Sequence, residues 1–289
     1  MGLDVKALRA AATVAALAPV IAFGIPLQTL ILKFRLGDPT RIPRLFHRYA
    51  LRAIGVTTHV AGSPAEARPL LMASNHSSWL DILVLGAITP VSFVAKSEIA
   101  SWPVFGSLAR LQRSIFVDRA RRTATSAVSR EMAERMQAGD AVVLFAEGTS
   151  SDGNRVLPFR SALLGAAQQA LGGEGAGAVY VQPVSIAYVR RNGLPLGLRT
   201  RSEIAWYGDI DFLPHLWAVL KNGSIDVMVT FGTPVRVDAS ANRKVLTREL
   251  ERQVRRMTTS ALRGGARPAA PAATPAIEGV SAPAPALEG

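Results

Sequence analysis

The sequence predicts an α/β domain, in which helices cover a mixed, largely parallel β-sheet, with a membrane-associated helical segment in front of it. Downstream of residue 52, short apolar runs rich in Val, Ile and Phe alternate with longer stretches of helical character. Such alternation is typical of sheets covered by helices. Upstream, residues 10–32 carry no charged side chain, which is unusual for a helix of a soluble protein. The chain of 289 residues is long enough to bury a sizeable core.

The uncharged stretch, residues 10–32, would be roughly 35 Å long as a helix, which is enough to cross a hydrocarbon core of about 30 Å. Pro19, Gly24 and Pro26 lie within it, and they favour a kinked helix or two short helices in one leaflet. A signal peptide is disfavoured because the apolar run is long and no clear cleavage site follows it. A buried soluble helix is the remaining alternative, and we expect membrane association.

Basic residues dominate the next segment, residues 33–52, in which Asp38 is the only acidic side chain. Such a flank favours anionic lipid head groups and the cytoplasmic side of a membrane, so we expect the inner membrane with the folded domain on its cytoplasmic face. The net charge of +12 would also suit a nucleic-acid-binding protein. That alternative lacks aromatics interleaved on a basic strand and leaves residues 10–32 unexplained, so no nucleic-acid partner is expected.

The elements of the α/β domain can be placed from residue 53 onwards. A last helix has an apolar stripe at helical spacing, and the Ala- and Pro-rich tail that follows it is expected to be disordered. We therefore divide the chain into a membrane-binding segment (1–52), an α/β domain (53–263) and a tail (264–289). The predicted strands are residues 69–74, 91–95, 114–117, 141–146, 179–189 and 225–231, and the predicted helices are residues 79–88, 123–137, 161–171, 213–220 and 240–262.

The segment Asn75-His76-Ser77-Ser78-Trp79-Leu80-Asp81 joins the first of these strands to the first helix. A histidine can take a proton near neutral pH, and a carboxylate on its other ring nitrogen fixes the tautomer and steadies the imidazolium. His76 and Asp81 would be about 140° apart on an ideal helix, so they can meet only if His76 lies in the turn before the helix. The alternative is a structural N-cap, in which Ser77 or Ser78 caps the helix and Asp81 lies near its positive end.

Three further predicted strands carry residues suited to binding or close packing. Arg119 closes an apolar run and could present a rigid fork to a phosphate or carboxylate, or could pair with Asp118 at the surface. Glu147-Gly148 follows a very apolar run, where a buried carboxylate would lie beside a close backbone approach. Pro183 interrupts a strand, and its missing N–H favours an edge or a bulge. The sequence has no cysteine, which excludes disulfides, thiolate zinc sites and cysteine nucleophiles.

In order and spacing, these stretches resemble the glycerolipid acyltransferase family, enzymes that acylate lysophosphatidic acid and related lysolipids. That family has an Asn-His-x-x-x-x-Asp block, a Phe-x-x-Arg block, a Glu-Gly-Thr block and an apolar block with a proline. The matching segments here are Asn75 to Asp81, Phe116 to Arg119, Glu147 to Thr149, and Val181 to Ile186, and residues 96–106 are similar to the family's linker. The resemblance covers roughly residues 45–256.

The resemblance implies an O-acyltransferase of phospholipid biosynthesis, with His76 as general base on the acceptor hydroxyl and Asp81 orienting it. Acyl-CoA or acyl carrier protein would supply the acyl group as a thioester, and no metal ion or redox cofactor is implied. A covalent intermediate would need Ser77 or Ser78, and general base catalysis suffices without one. The acceptor head group would be held by Arg119, Glu147, Gly148 and Thr149, while Lys96 and backbone groups near Pro183 are weaker candidates for steadying the oxyanion.

One departure bears on the acceptor. Acyltransferases for lysophosphatidic acid often have an arginine directly after Glu-Gly-Thr, where this chain has Ser150. Arg155 or Arg160 could take over the phosphate contact, or the acceptor could be lyso-ornithine lipid, since residues 147–153 and 206–209 resemble a bacterial branch that includes such enzymes. Sequence alone favours lysophosphatidic acid as acceptor, with lyso-ornithine lipid as the alternative. A non-catalytic membrane lipid-binding protein is the second alternative, although both members of the catalytic pair are present.

Overall fold

The computed structural model describes residues 4–117, 124–161, 178–238 and 240–264. One β-sheet lies at the centre of this part of the chain, and helices cover both of its faces. The strands are β1 (Val56–Ala61), β2 (Leu70–Ser74), β3 (Ser92–Lys96), β4 (Ile115–Val117), β5 (Ala141–Phe145), β6 (Val179–Arg191), β7 (Leu194–Pro195), β8 (Ile225–Phe231) and β9 (Val235–Val237). The α-helices are α1 (Val5–Phe34), α2 (Arg41–Ile54), α3 (Leu80–Ile88), α4 (Phe105–Leu111), α5 (Ala124–Gln137), α6 (Leu198–Ser202), α7 (Phe212–Lys221) and α8 (Arg243–Leu262), and a 3₁₀ helix covers Ser97–Ser101.

The strand order is β1-β8-β6-β2-β5-β3-β4, with β7 and β9 also paired to β6. The pairs β1–β8, β6–β2, β2–β5, β5–β3 and β3–β4 are parallel, whereas β8, β7 and β9 run antiparallel to β6. Every residue of β2 and β5 is buried, as expected for parallel strands covered on both faces. The carboxyl ends of β2 and β5 therefore meet at one edge of the sheet, next to the middle of β6.

Two apolar clusters lie on opposite faces of the sheet, because successive side chains of a strand point to opposite sides. Leu71 and Ala73 of β2 contact the cluster that contains α5 and α8. Leu70 and Met72 contact the cluster that contains α2, α3 and α7. This arrangement confirms the predicted mixed, largely parallel sheet covered by helices.

Several elements differ from the expectation. The strands β1, β7 and β9 were not predicted, and β1 shows why, since polar residues at 57–59 leave it without an apolar run. Pro183 lies in an interior strand, between the β6 residues that pair with β9 and those that pair with β8. A proline fits there because its missing N–H coincides with the change of partner. The predicted helix 161–171, except for its first residue, and the tail beyond residue 264 lie outside the described residues.

The helix α1 is continuous, and both Pro19 and Pro26 lie inside it, so the stretch is not divided into two short helices. Within the described part of the chain, α1 is long and apolar enough to cross a membrane by length and composition, and 11% of its most apolar window is buried. Its contacts to the domain are few and specific. Arg9 donates to the carbonyls of Ile54 and Leu220 at 2.6 Å, and Gln28 donates to the Pro39 carbonyl at 2.7 Å.

Candidate active site

The turn that carries His76 follows β2 directly and is fixed to the neighbouring strand β6. The Asn75 side chain makes two hydrogen bonds to one residue: its Oδ1 accepts from the Ile186 N–H at 2.8 Å, and its Nδ2 donates to the Ile186 carbonyl at 2.9 Å. These bonds continue the β2–β6 pairing for one more residue through a side chain. They hold the chain in place where the sheet ends and the turn begins.

His76 and Asp81 are in contact, as the strand–turn–helix interpretation requires. The His76 Nδ1 lies 2.8 Å from the Asp81 Oδ2, and the same oxygen accepts from the N–H groups of Ser77 at 2.8 Å and Ser78 at 3.0 Å. Because a carboxylate accepts at Nδ1, that nitrogen carries the proton and Nε2 has a free lone pair. Asp81 therefore binds the amides of the turn as well as the imidazole, whereas the N-cap residue of α3 is Trp79, which makes no side-chain capping bond.

Sequence reasoning missed Tyr188, which completes the surroundings of Asp81. Its hydroxyl donates to the Asp81 Oδ1 at 2.6 Å, and both side chains are buried. Burial, together with the adjacent Asp81 charge, raises the pKa of the Tyr188 hydroxyl well above its ordinary value, so it remains a donor. A tyrosine in the predicted strand 179–189 was the available signal.

The ring of His76 packs against an aromatic side chain and is partly exposed to solvent. It stacks on Phe145, the last residue of β5, with ring centroids 3.9 Å apart and an interplanar angle of 16°. The backbone carbonyl of His76 accepts from the Ser151 N–H at 2.9 Å, and this bond joins the Glu147 loop to the His76 turn. The side chain is 18% exposed, enough for a small group to reach Nε2. A fixed ring with one accessible basic nitrogen can act as a general base.

The two serines of the turn are poorly placed to act as nucleophiles. Ser77 and Ser78 are buried, and the Ser78 hydroxyl donates to the Ile204 carbonyl at 2.8 Å. The Ser77 carbonyl accepts from the Trp206 N–H at 2.7 Å. Both residues therefore hold the turn to the segment that follows α6, and a direct attack by the acceptor needs neither of them.

Glu147 lies under the turn rather than in open space. It is 2% exposed, and among the described residues neither of its carboxyl oxygens has a hydrogen-bond partner. Burial raises the pKa of this carboxyl to about 8, and the nearby Asp81 charge adds to the rise, although the backbone amides of Leu157 and His76, which are close but do not complete hydrogen bonds to it, oppose the rise. Glu147 is therefore mainly protonated at neutral pH, and its predicted contact with the acceptor would be that of a neutral group.

The predicted turn after Glu147 is present, with Gly148 at φ +71°, a backbone conformation that favours glycine. Thr149 follows and is exposed. A Cβ on Gly148 would lie 2.8 Å from the Cδ and 2.9 Å from the Nε of Arg160, so the Arg160 side chain passes directly over Gly148. Two arginines could replace the one that is absent after Thr149: Arg160 lies at the turn, whereas Arg155 lies on the intervening loop, and both are exposed.

Two other predicted site residues, Lys96 and Pro183, are not brought to His76 by the contacts of the described residues. Lys96 is exposed at the end of β3, and β5 separates β3 from β2. Pro183 is buried opposite Ala73 within the sheet, and its carbonyl accepts from the Gly232 N–H at 2.8 Å. A proline has no N–H, so an oxyanion contact there would need the amide of a neighbouring residue, and the expectation for backbone groups near Pro183 stays a prediction. Arg119 lies outside the described residues.

The other three histidines make structural or surface contacts. His47 is buried against Gly86, and burial lowers the pKa of its imidazole to about 4. His215 accepts from the Trp79 indole at 3.1 Å, and His59 pairs with Asp226 at 2.8 Å. Within the described ranges, no group of three or more acidic or histidine side chains could hold a metal ion.

Comparison with known proteins identifies the family of this chain. The family model described as Acyltransferase matches residues 55–187. A lyso-ornithine lipid O-acyltransferase of Brucella abortus (strain 2308) is 51% identical over 240 residues, which is 83% of this chain and 90% of the relative. A protein of the same name from Rhizobium meliloti (strain 1021) is 44% identical, over 85% of this chain and 84% of the relative. The chain belongs to the acyltransferase family.

The fold of this acyltransferase is also that of a solved structure. The crystal structure of the 1-acyl-sn-glycerophosphate (LPA) acyltransferase PlsC from Thermotoga maritima superimposes with a TM-score of 0.61, covering 89% of this chain and 94% of the other. The two sequences are 21% identical, so this similarity concerns the fold. The predicted family and enzyme class are confirmed by the sequence relatives, and the predicted fold class is confirmed by this structural match.

Proposed function

We propose that this acyltransferase moves a fatty acyl group from an acyl thioester to the free hydroxyl of a lysolipid, and that the acceptor is lyso-ornithine lipid. The observation that carries the proposal is the His76–Asp81 pair at the carboxyl end of β2. Its carboxylate is fully buried and accepts from four donors, while the imidazole remains partly exposed. A positioned base of this kind is what a hydroxyl needs in order to attack a thioester.

In the proposed reaction, His76 Nε2 takes the proton of the acceptor hydroxyl as its oxygen attacks the thioester carbonyl carbon. The carbonyl electrons move to oxygen in the tetrahedral intermediate and return as the carbon–sulfur bond breaks. The proton on His76 then passes to the leaving thiolate, which regenerates the neutral imidazole. Asp81 stabilises the imidazolium and keeps the proton on Nδ1, because its own charge is held by the turn amides and by Tyr188.

The acceptor is inferred from the relatives and from the charges beside the turn. The two relatives described above share 51% and 44% of their residues with this chain and are named for lyso-ornithine lipid. Ornithine carries a carboxylate and an amine, whereas lysophosphatidic acid carries a phosphate. Arg160 over Gly148 suits a carboxylate. The same loop carries the Asp152 carboxylate, which accepts from the Asn154 N–H at 3.0 Å and from the Asn154 Nδ2 at 3.2 Å, and its charge would favour an amine over a phosphate.

Lysophosphatidic acid, which sequence alone favours, stays the second candidate because the Arg160 fork is also suited to phosphate. For the other substrate we propose acyl-CoA or acyl carrier protein. We further propose that residues 1–52 attach the enzyme to the inner membrane from the cytoplasmic side. The exposed apolar side chains of α1 and the arginines exposed on α2 support attachment to anionic lipids.

The proposal is tested by acyl transfer in detergent. The donors are acyl-CoA and acylated acyl carrier protein, each with a label on its acyl group. Lyso-ornithine lipid and lysophosphatidic acid are offered together at equal concentration, and Asp152→Asn is compared with the unaltered enzyme. We expect product mainly from lyso-ornithine lipid, and a shift towards lysophosphatidic acid in Asp152→Asn because the repulsive charge is gone. Preferential acylation of lysophosphatidic acid by the unaltered enzyme would overturn the acceptor assignment, and absence of transfer to either would overturn the proposed reaction.

A further inference from the structure

An apolar groove lies between α1 and α2 and is bordered by α4. Its volume is about 720 Å³, within the range of roughly 300–1,000 Å³ typical of small-molecule sites. Its walls are mainly aliphatic and aromatic, including Ile21 and Phe23 of α1, Leu45 and Phe46 of α2, and Leu108 of α4. Neither His76 nor the Glu147 turn lines it, so the groove is separate from the candidate active site.

The groove is preformed, because polar contacts fix the distance between its walls. The Tyr49 hydroxyl donates to the Ala16 carbonyl at 3.2 Å and joins α2 to α1. The Gln28 amide, which is 2% exposed, donates to the Pro39 carbonyl at 2.7 Å and to the Leu111 carbonyl at 3.3 Å. These bonds hold α1 against the start of α2 and the end of α4. A ligand that enters the groove therefore does not have to order it first.

Positive charge marks the open side of the groove. Arg48 and Arg52 of α2 line it and are exposed, and no acidic residue is among its lining residues. The Nε of Arg48 donates to the Ala87 carbonyl at 3.0 Å, which fixes the direction of that side chain. Arg52 has no ion-pair partner in the described part of the chain. An apolar slot with two arginines at its exposed side is complementary to a molecule with an acyl chain and an anionic head.

We propose that this groove holds one acyl chain of an anionic membrane phospholipid, whose phosphate is bound by Arg48 and Arg52. The proposal rests on the membrane attachment proposed above, because the lipid would enter from the bilayer that surrounds the exposed face of α1. An unfilled groove open to hydrocarbon would forfeit packing contacts along both helices, and an acyl chain restores them. The lipid is thus a bound structural partner of α1 and α2, distinct from the substrate.

Gly24 provides a way to fill the groove. It lines the groove, and a Cβ built on it meets no atom within 4 Å, so the site accepts a larger side chain. Gly24→Trp would occupy the space of the acyl chain, and Gly24→Ala is the matched control for the change in helix propensity. Leu30→Trp places the same tryptophan side chain on α1 at a 48% exposed position outside the groove. Leu45→Trp fills the groove from the opposite wall.

The experiment is thermal unfolding of each full-length variant in a neutral detergent with added phosphatidylglycerol or phosphatidylcholine. Phosphatidylglycerol should raise the Tm of the unaltered protein, of Gly24→Ala and of Leu30→Trp, but not of Gly24→Trp or Leu45→Trp. Phosphatidylcholine should raise it less, and Arg52→Gln should shrink the difference between the two lipids. If Gly24→Trp does not fold, Leu45→Trp gives the same comparison.

An equal rise in Tm for the groove-filled variants and the unaltered protein would overturn the groove as the binding site. An equal response to both lipids, or no response to phosphatidylglycerol, would overturn the assignment of an anionic phospholipid. Because the Tm does not depend on acyl transfer, failure of this proposal is distinguishable from failure of the proposed reaction.

Discussion

Replacing Glu147 by Gln should stabilise the protein at alkaline pH and change its stability little near pH 5. The folded protein keeps a proton on this carboxyl up to about pH 8, whereas the ordinary pKa is 4.5. Between these two values the unfolded chain has released the proton and the folded chain has not, so the free energy of unfolding falls as the pH rises. At about 1.4 kcal/mol per pKa unit, the full cost above pH 8 is about 5 kcal/mol.

The assay is thermal unfolding of both proteins in detergent at pH 5 and at pH 8.5. Since 1 kcal/mol shifts the Tm by roughly 2–4 °C in a protein of this size, Glu147→Gln should melt about 10–20 °C higher at pH 8.5. The matched control is Glu98→Gln, at an exposed glutamate, which should show no such difference. The same Tm difference at both pH values would refute the reasoning, because it would mean that Glu147 does not change its charge in this interval.

Three further substitutions test the surroundings of the site. Tyr188→Phe removes the donor to the Asp81 carboxylate and should lower the free energy of unfolding by about 1.5–3 kcal/mol, measured by thermal unfolding. It should also lower kcat more than it changes KM. An unchanged kcat would contradict the positioning role of Tyr188. Gly148→Ala, at φ +71° and against Arg160, should destabilise by about 1–3 kcal/mol, and by more than Gly139→Ala, which has φ +92° but open space around it. Arg160→Ala should raise the KM for the lysolipid about tenfold, because one charge-assisted contact is lost. A larger effect of Arg155→Ala in the same assay would mean that Arg155, not Arg160, contacts the acceptor head group.

The fold class and the catalytic pair could be predicted because both depend on short segments. An apolar strand, a polar turn and an apolar helix determine where His76 and Asp81 lie, and only four residues separate them in sequence. The continuous α1 was harder to foresee, since a proline costs an isolated helix a hydrogen bond. In α1 both prolines are accommodated within a helix that packs against three others.

The contacts that sequence reasoning missed are those that depend on strand order. Tyr188 reaches Asp81 only because β6 lies beside β2, and that neighbourhood follows from crossovers that no local pattern reveals. The same holds for Arg160, which reaches Gly148 because the intervening loop folds back on the end of β5. The buried state of Glu147 was anticipated from the apolar strand before it. Among the described residues its carboxyl oxygens have no hydrogen-bond partner, and no local sequence pattern indicates this.

The central claim is that His76 acts as the base in a direct transfer from thioester to hydroxyl. The most direct measurement is kcat for transfer of a labelled acyl group to lyso-ornithine lipid by His76→Ala, with the unaltered enzyme checked in parallel for label bound to protein. We predict that kcat falls by about 10²–10⁴-fold, the usual contribution of a general base, and that no acyl-protein forms. A kcat within tenfold of that of the unaltered enzyme would contradict the role of His76 as the base. An acyl-protein that turns over would contradict the direct transfer.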